Sequence, residues 1–253
     1  MEHNIGAKVI HKALDILLLF KEKKEPLGVT EISKQLGLPK PTVSRILNTL
    51  FQRGFLVRDR ENQKYFLSPI FYSFASVVSE RNELISVAKE EMEAISRTFR
   101  ETVHLNVLDN GERLCVLVFD SPQTLKAVMP VGQRSPLYCG GSSKAIFAFL
   151  EDEEIEEIIS RGLSPVTENT ITDPERLREE VARIRKRGYA VSHGERVRGV
   201  TSISAPIFSK SGVVIGSLTV SVPTVRHTLE LEERIAARLK EASAKITRYY
   251  GKL

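Results

Sequence analysis

The segment from Thr30 to Arg58, TEISKQLGLPKPTVSRILNTLFQRGFLVR, constrains the fold more than any other part of the chain. Ile32 and Leu36 lie four residues apart on one helical face, with Thr30 ahead of them as the expected N-cap. Gly37 tolerates a positive φ, and Leu38-Pro39 then ends the first helix. Pro41 suits the first turn of a second helix, where its missing N–H costs nothing. Val43, Ile46, Leu47 and Leu50 recur at helical spacing and fill one face of it. Lys40, Thr42, Ser44, Arg45, Asn48 and Thr49 are left outside. Short polar side chains beside an arginine can reach base edges from a helix in a major groove. The spacing therefore predicts a helix-turn-helix with double-stranded DNA as partner.

Two amphipathic helices around a glycine turn also occur in plain helical cores, so the flanking residues carry weight. Residues 55–59 and 64–67 read as two short strands joined by the polar turn Arg60-Glu61-Asn62-Gln63. Such a hairpin is a wing, and Arg58, Arg60 and Lys64 sit on it as expected phosphate contacts. Charge agrees. Residues 1–79 hold 12 Lys and Arg against 7 Asp and Glu, while the remaining residues hold 25 of each. The whole positive surplus of the chain lies with the helix-turn-helix, where a phosphate-binding surface needs it, although a solvated basic face would look the same.

With 253 residues the chain is comfortable for two cores. The first apolar stretch carries Lys8, Lys12 and Asp15 and has no signal-type cleavage site, so a cytoplasmic protein is expected. Val9 to Phe20 is predicted as a helix with Ile10, Leu14, Leu17 and Leu18 inward, leaving Ile16, Leu19 and Phe20 for other partners. Cys115 and Cys139 are too few and too far apart for a disulfide framework or a metal site, and no cofactor is expected.

Pro69 opens a helical stretch to about Glu80 that is too apolar for a flexible linker. A further helix runs from about Asn82 to Phe99, with Leu84, Val87, Ala88, Met92 and Ile95 on one stripe. The domain break is placed at Arg81-Asn82. From Glu101 the period becomes extended. Residues 102–108 and 113–119 form a hairpin across Asp109-Asn110-Gly111, and a third strand is expected over Leu125 to Met129. Gly140-Gly141-Ser142-Ser143 opens a helix that continues to Leu150. Helices follow near Glu151–Ser160 and Asp173–Arg187, then two strands, Thr201–Phe208 and Val213–Val222, and a last helix, Glu230–Tyr249. Hairpins without strict βαβ alternation indicate an α+β domain with an antiparallel sheet.

Three stretches together resemble the IclR-type (isocitrate lyase regulator) family of transcriptional regulators: TEISKQLGLPKPTVSRILNTL, SPLYCGGSSKAIFAFL and RIRKRGYAVSHGERVRGVTSISAPIFSKSGVVIGSLTVS. The resemblance runs the length of the chain. It implies a winged helix-turn-helix (1–68), a linker helix (69–81) and a GAF-like effector-binding domain (82–253), assembled as a dimer or a dimer of dimers. It further implies a DNA-binding regulator, typically a repressor, whose operator binding responds to a metabolite such as a small organic acid. By motif, Gly141 and Ser142 fall where helix-start amides would meet a carboxylate, a favourable place for an anion on physical grounds as well. Ser192, Ser202, Thr219 and Ser221 fall where the family sets polar side chains around the ligand. Two departures stand out. Ser143 replaces the usual glycine before Lys-Ala, and Ser192 stands where regulators of acidic metabolites often carry a carboxylate.

Hydroxyls at Ser202, Ser204, Thr219 and Ser221 alternate with Ile203, Ala205, Leu218, Val220 and Val222, so one sheet face is hydroxyl-rich, or else is simply open to solvent. An enzyme finds little support. GxxxxGK[ST] and GxSxG are absent, which leaves Ser142, His104 and Glu195 without a hydrolytic signature, and no catalytic residue is expected. Lys144 reads as a solvent-exposed helix residue or a salt-bridge partner. A GAF-like small-molecule enzyme or thiol redox sensor with an appended helix-turn-helix is the alternative from another class, to be told apart by turnover and by the reactivity of Cys139.

Overall fold

A computed structural model of the chain describes residues 7–80 and 83–249. It divides into two compact units, Met1–Arg81 and Asn82–Leu253. The break expected at Arg81-Asn82 falls outside the described residues.

The first unit holds α1 (Lys8–Lys23), α2 (Val29–Leu36), α3 (Lys40–Gln52), β1 (Leu56–Arg58), β2 (Tyr65–Leu67) and α4 (Ile70–Glu80). Gly37 ends α2 at φ 64°, and Ser33 receives the Leu38 N–H at 3.1 Å while its own hydroxyl donates to the Leu38 carbonyl at 2.6 Å. This C-cap sets the angle at which α3 leaves. The N-cap of α2 is Gly28 and not Thr30: Glu31 reaches back to accept the Gly28 N–H at 2.6 Å, and Thr30 stands exposed in the first turn. Ile32, Val43, Ile46, Leu47, Leu56 and Tyr65 form the core.

The expected inward face of α1 is overturned. Ile16, Leu19 and Phe20 are buried in that core, whereas Ile10, Leu14 and Leu18 are each more than half exposed; Leu17 is partly buried. Apolar residues surround most of this helix, so periodicity alone does not select the stripe that packs. β1 and β2 pair from Leu56↔Leu67 to Arg58↔Tyr65, and Leu27 adds a bridge to Tyr65 on the other side. Phe55, Phe71 and Phe74 cluster, with ring centroids 5.8 to 6.3 Å apart, and fasten the start of α4 to the wing.

The second unit is a six-stranded antiparallel sheet in the order β5-β4-β3-β8-β7-β6. Its strands are β3 (Thr102–Asp109), β4 (Glu112–Phe119), β5 (Arg134–Ser135), β6 (Ala190–His193), β7 (Val200–Phe208) and β8 (Val214–Pro223). The two-residue turn Asn110-Gly111, with φ of 51° and 76°, closes the β3–β4 hairpin. On one face α5 (Glu83–Phe99) and α9 (Leu229–Tyr249) bury Leu84, Ala88, Met92 and Ile95 against Val103, Leu105, Leu218 and Val220. On the other, α6 (Gly141–Phe147) lies against β7 and β8, backed by α7 (Asp152–Ser160) and α8 (Pro174–Arg187).

Residues 125–129, expected as a third strand, make no ladder. Ala127 and Met129 are buried and Val128 is exposed, the alternation of a strand, but the strand paired on the outer side of β4 is β5, at Arg113 and Leu114. α6 stops at Phe147, short of Leu150, and β6 was not anticipated.

Candidate functional site

On α3, Lys40, Arg45, Asn48 and Thr49 are exposed, and Thr42 and Ser44 are half-buried. Arg45 makes no side-chain hydrogen bond or ion pair among the described residues. Asn48 and Thr49 are partly engaged: Asn48 Oδ1 accepts from the Tyr65 hydroxyl at 3.1 Å, and Thr49 donates to the Arg45 carbonyl at 2.9 Å. On the wing, the Arg58 guanidinium lies 5.3 Å from the Tyr65 ring centroid. Asp59 caps the turn by accepting the Glu61 N–H at 2.9 Å, which leaves Arg60 projecting at the tip. Lys64 is different, because its Nζ is bonded to Glu31 at 2.7 Å and that contact holds the Glu31 carboxyl below its usual pKa.

In the second unit the polar face of the sheet is a ladder of matched side chains: Thr102↔Ser221, His104↔Thr219 and Asn106↔Ser217, continued by Ser202↔Ser221 and Ser204↔Thr219. Strand alternation puts the apolar partners on the opposite, helix-covered face. Almost all of these polar residues are buried, so the hydroxyl-rich face is not a solvent face. His104 Nδ1 bonds Asn106 Oδ1 at 3.1 Å and Nε2 bonds Ser221 Oγ at 2.9 Å. The Asn106 amide nitrogen points to Ser217 and Thr219, so its oxygen is the acceptor and His104 carries its proton on Nδ1. Burial, reinforced by the charge of Arg113, drops the His104 pKa to about 3 and keeps the ring neutral.

A small cavity opens above this ladder, between Ala127–Met129, Gly140–Ser142 and the β6–β7 region, with His104, Ser192, Arg196, Ser202 and Ser221 in its wall. Gly141 is indispensable to it: a Cβ there would stand 2.7 Å from both the carbonyl oxygen and the hydroxyl of Ser202. The Gly141 N–H donates to that hydroxyl at 3.2 Å. The cavity measures about 20 Å³, room for one water-sized molecule. Of the expected ligand contacts, Gly141, Ser142, Ser192, Ser202 and Ser221 converge here. Thr219 does not reach the wall; its hydroxyl is spent beneath α6, donating to Ser204 at 2.9 Å and accepting from Asn106 at 3.3 Å.

Of the two readings of Lys144, the salt-bridge partner holds and the exposed helix residue does not. Lys144 is buried, with Glu195 at 2.5 Å and Glu180 at 3.3 Å, while Glu195 also accepts the Gly140 N–H at 3.1 Å. This knot ties the start of α6 to the β6–β7 loop. No hydrolytic set forms, since His104 bonds Ser221 and Glu195 bonds Lys144. Cys139 is fully buried beside the Glu195 carbonyl, and burial raises its pKa and that of Cys115, the latter to about 11. Neither thiol is activated.

Sequence reasoning missed Arg196, Arg113 and Met129. Arg196 enters the cavity wall from a loop, and among the described residues its Nη2 finds only the Met129 sulfur, at 3.4 Å. No Asp or Glu among the described residues pairs with it. Arg113 did leave a signal, a charged residue at an inward strand position, flanked at the next inward position by Cys115.

A helix-turn-helix unit joined to an α+β unit with a polar internal cavity defines a bacterial transcriptional regulator with a DNA-binding and an effector-binding part. The model of the IclR helix-turn-helix domain matches residues 9–60, and that of the bacterial transcriptional regulator IclR C-terminal domain matches residues 76–248. The chain belongs to the IclR family and is a transcriptional regulator, not an enzyme. The HTH-type transcriptional regulator KipR of Bacillus subtilis is 33% identical over 96% of this chain and 97% of its own length. The crystal structure of an IclR regulator from Alicyclobacillus acidocaldarius has a TM-score of 0.88 at 26% identity, covering 98% of this chain and 100% of the other. An IclR homologue from Microbacterium hydrocarbonoxydans, crystallised with 4-hydroxybenzoate, has a TM-score of 0.83 at 26% identity over 95% and 98% of the two chains. Among the described residues no helix is long and apolar enough to cross a membrane.

Proposed function

We propose that the protein is a cytoplasmic repressor that leaves its operator when a small organic acid enters the cavity above the β3–β8–β7 ladder. One observation carries this reading: Arg196 lines the cavity as a cation that, among the described residues, has no carboxylate partner and is bonded only to a thioether. An arginine so placed is a ready donor for a carboxylate, which it can hold in a bidentate fork. Ser192, Ser202, Ser221 and the Gly141 amide would order the rest of the molecule, with the neutral His104 fixing Ser221. A homologue crystallised with an aromatic carboxylic acid agrees in chemistry. The DNA contacts would come from Lys40, Thr42, Ser44, Arg45, Asn48 and Thr49 on α3, and from Arg58, Arg60 and Lys64 on the wing. Ligand binding controls DNA binding only if the ligand's affinity differs between the DNA-competent and incompetent states.

The exposed stripe Ile10, Leu14 and Leu18 on α1, with Tyr72, Val77 and Val78 on α4, fits burial against a second copy, so the working species would be a homodimer or a dimer of dimers. Leu14→Glu should then shift light scattering toward monomer.

A thermal-shift screen of carboxylates against the full chain tests the central claim. An acid at about 100 times its Kd should stabilise the protein by about 2.7 kcal/mol. The same acid should lower affinity for the operator and raise expression of an operator-controlled reporter. Ser202→Ala with Ser221→Ala should remove most of the shift. An unchanged shift in that double variant would move the ligand elsewhere.

A further inference from the structure

We infer that the ligand is a small dianion, one of whose acidic groups binds between Arg113 and Arg196 in the place the Met129 thioether fills. The inference deepens the acid-binding reading and rests on it. Arg113, carried by β4, is completely buried. Its Nη2 donates to Ser135 Oγ at 2.6 Å, and its Nη1 donates to the Gln133 carbonyl at 3.1 Å and approaches Met129 Sδ at 3.8 Å. Arg196 reaches the same sulfur from the cavity wall at 3.4 Å. Two guanidiniums thus meet at one neutral atom. A thioether is among the weakest acceptors a protein has, while each guanidinium offers five donors. Neither arginine has an acidic partner among the described residues.

Burial lowers the pKa of both groups, that of Arg113 to about 10, where the charge of Arg196 adds to the effect. Arg113 Nε, and Oε1 of Gln133, whose backbone carbonyl Arg113 bonds, are buried with no hydrogen-bond partner among the described residues. A structural arginine tying β4 to Gln133 and Ser135 would account for two donors. It would not account for an unpartnered Nε, nor for a second cation aimed at the same sulfur. Buried charge is costly unless compensated, and a single negative group set between the two guanidiniums would leave the pair with a net positive charge, which a second negative group on the ligand offsets.

Met129 is suited to yield its place. It is unbranched, with three rotatable side-chain bonds, and it stands in a segment that makes no ladder bonds, so moving it breaks no sheet. Arg113 stays in position because Ser135 is held in turn by Ser143 Oγ at 3.0 Å, at the start of α6. Displacing Met129 would also enlarge a cavity that now admits little more than a water.

The test is calorimetric titration of the full chain with dicarboxylates of four to six carbons, monocarboxylates of matched length and sulfate esters of small hydroxy acids. The best dianion should bind at least tenfold more tightly than its monoacid counterpart, and the dicarboxylate and sulfate arms decide which second group it carries. Arg113→Met should reduce the dianion to monoacid affinity. Met129→Glu supplies an internal carboxylate to the two arginines, so it should raise the melting temperature and abolish the dianion response, an answer independent of whether Arg113→Met folds. Equal affinity for matched monoacids, or full dianion binding by Met129→Glu, would overturn the inference and leave the acid site standing. Absence of binding by any acid of the three classes would instead sink the acid-binding reading itself.

Discussion

Lys144 Nζ and Glu195 Oε1 lie 2.5 Å apart in the interior, joining the start of α6 to the residue immediately before Arg196. The Glu195 backbone carbonyl is held as well, by the hydroxyls of Thr167 at 2.9 Å and Thr170 at 2.7 Å. Arg196 therefore leaves a fixed point, and the cavity owes its cation to a pair 51 residues apart in sequence. Breaking a buried ion pair strands a charge, so Lys144→Met should cost about 3–5 kcal/mol in chemical denaturation. Adding Glu195→Gln should cost much less than a second such loss. Additive losses would mean the two side chains do not act as a pair.

The recognition helix makes a prediction of its own. Arg45 is exposed, its guanidinium is unengaged among the described residues, and it can fork onto a guanine edge. Arg45→Ala should weaken binding to the specific operator by about 1–3 kcal/mol and to random DNA far less. Equal losses on both would assign Arg45 to the phosphate backbone.

On the wing, the three basic residues should not behave alike. Arg60 projects from the turn, and Arg60→Ala should reduce the slope of log K against log salt by about 0.9 if it neutralises one phosphate. Lys64 is bridged to Glu31, so Lys64→Ala should change the slope less than Arg60→Ala does. Glu31→Gln, which releases Lys64, should strengthen DNA binding. A weaker complex from Glu31→Gln would assign that bridge to holding the wing in place.

Much of the fold was legible because it is written in local signals. Gly37, Pro41 and the Val43–Leu50 stripe specify the helix-turn-helix, and Asn110-Gly111 specifies the hairpin, each within a few residues. The failures come from information that is not local. α1 is apolar around most of its circumference, and only packing against Ile32 and Val43 selects Ile16 over Ile10. Residues 125–129 alternate as a strand does but pair with no strand, and alternation alone cannot tell the two cases apart. Ser202 and Ser221 could be found from alternation, whereas Arg196 could not, since its position depends on Glu195 meeting Lys144. Thr219 shares the alternation of Ser221 and yet sits under α6, a distinction that a period of two cannot make.

The buried His104 gives the second unit a pH dependence whose sign is set by its depressed pKa. In the unfolded chain it titrates near 6.5, and in the folded protein only near 3. Above pH 6.5 the ring is neutral in both states and contributes nothing to the dependence. Between the two values the unfolded chain binds a proton that the folded protein refuses, so stability is lost as the pH falls, by up to about 1.4 kcal/mol per pH unit. His193, whose pKa is lowered by burial and then by His227, pulls in the same direction, so the contribution of His104 must be read as a difference between variants. His104→Gln keeps an amide that can bond Asn106 and Ser221 but cannot titrate. Denaturation of the full chain at pH 7.5 and pH 5.0 should show a clearly smaller drop for His104→Gln than for the parent protein. Equal drops would mean that His104 takes up its proton in the folded state, and the neutral floor assigned to the cavity would be wrong.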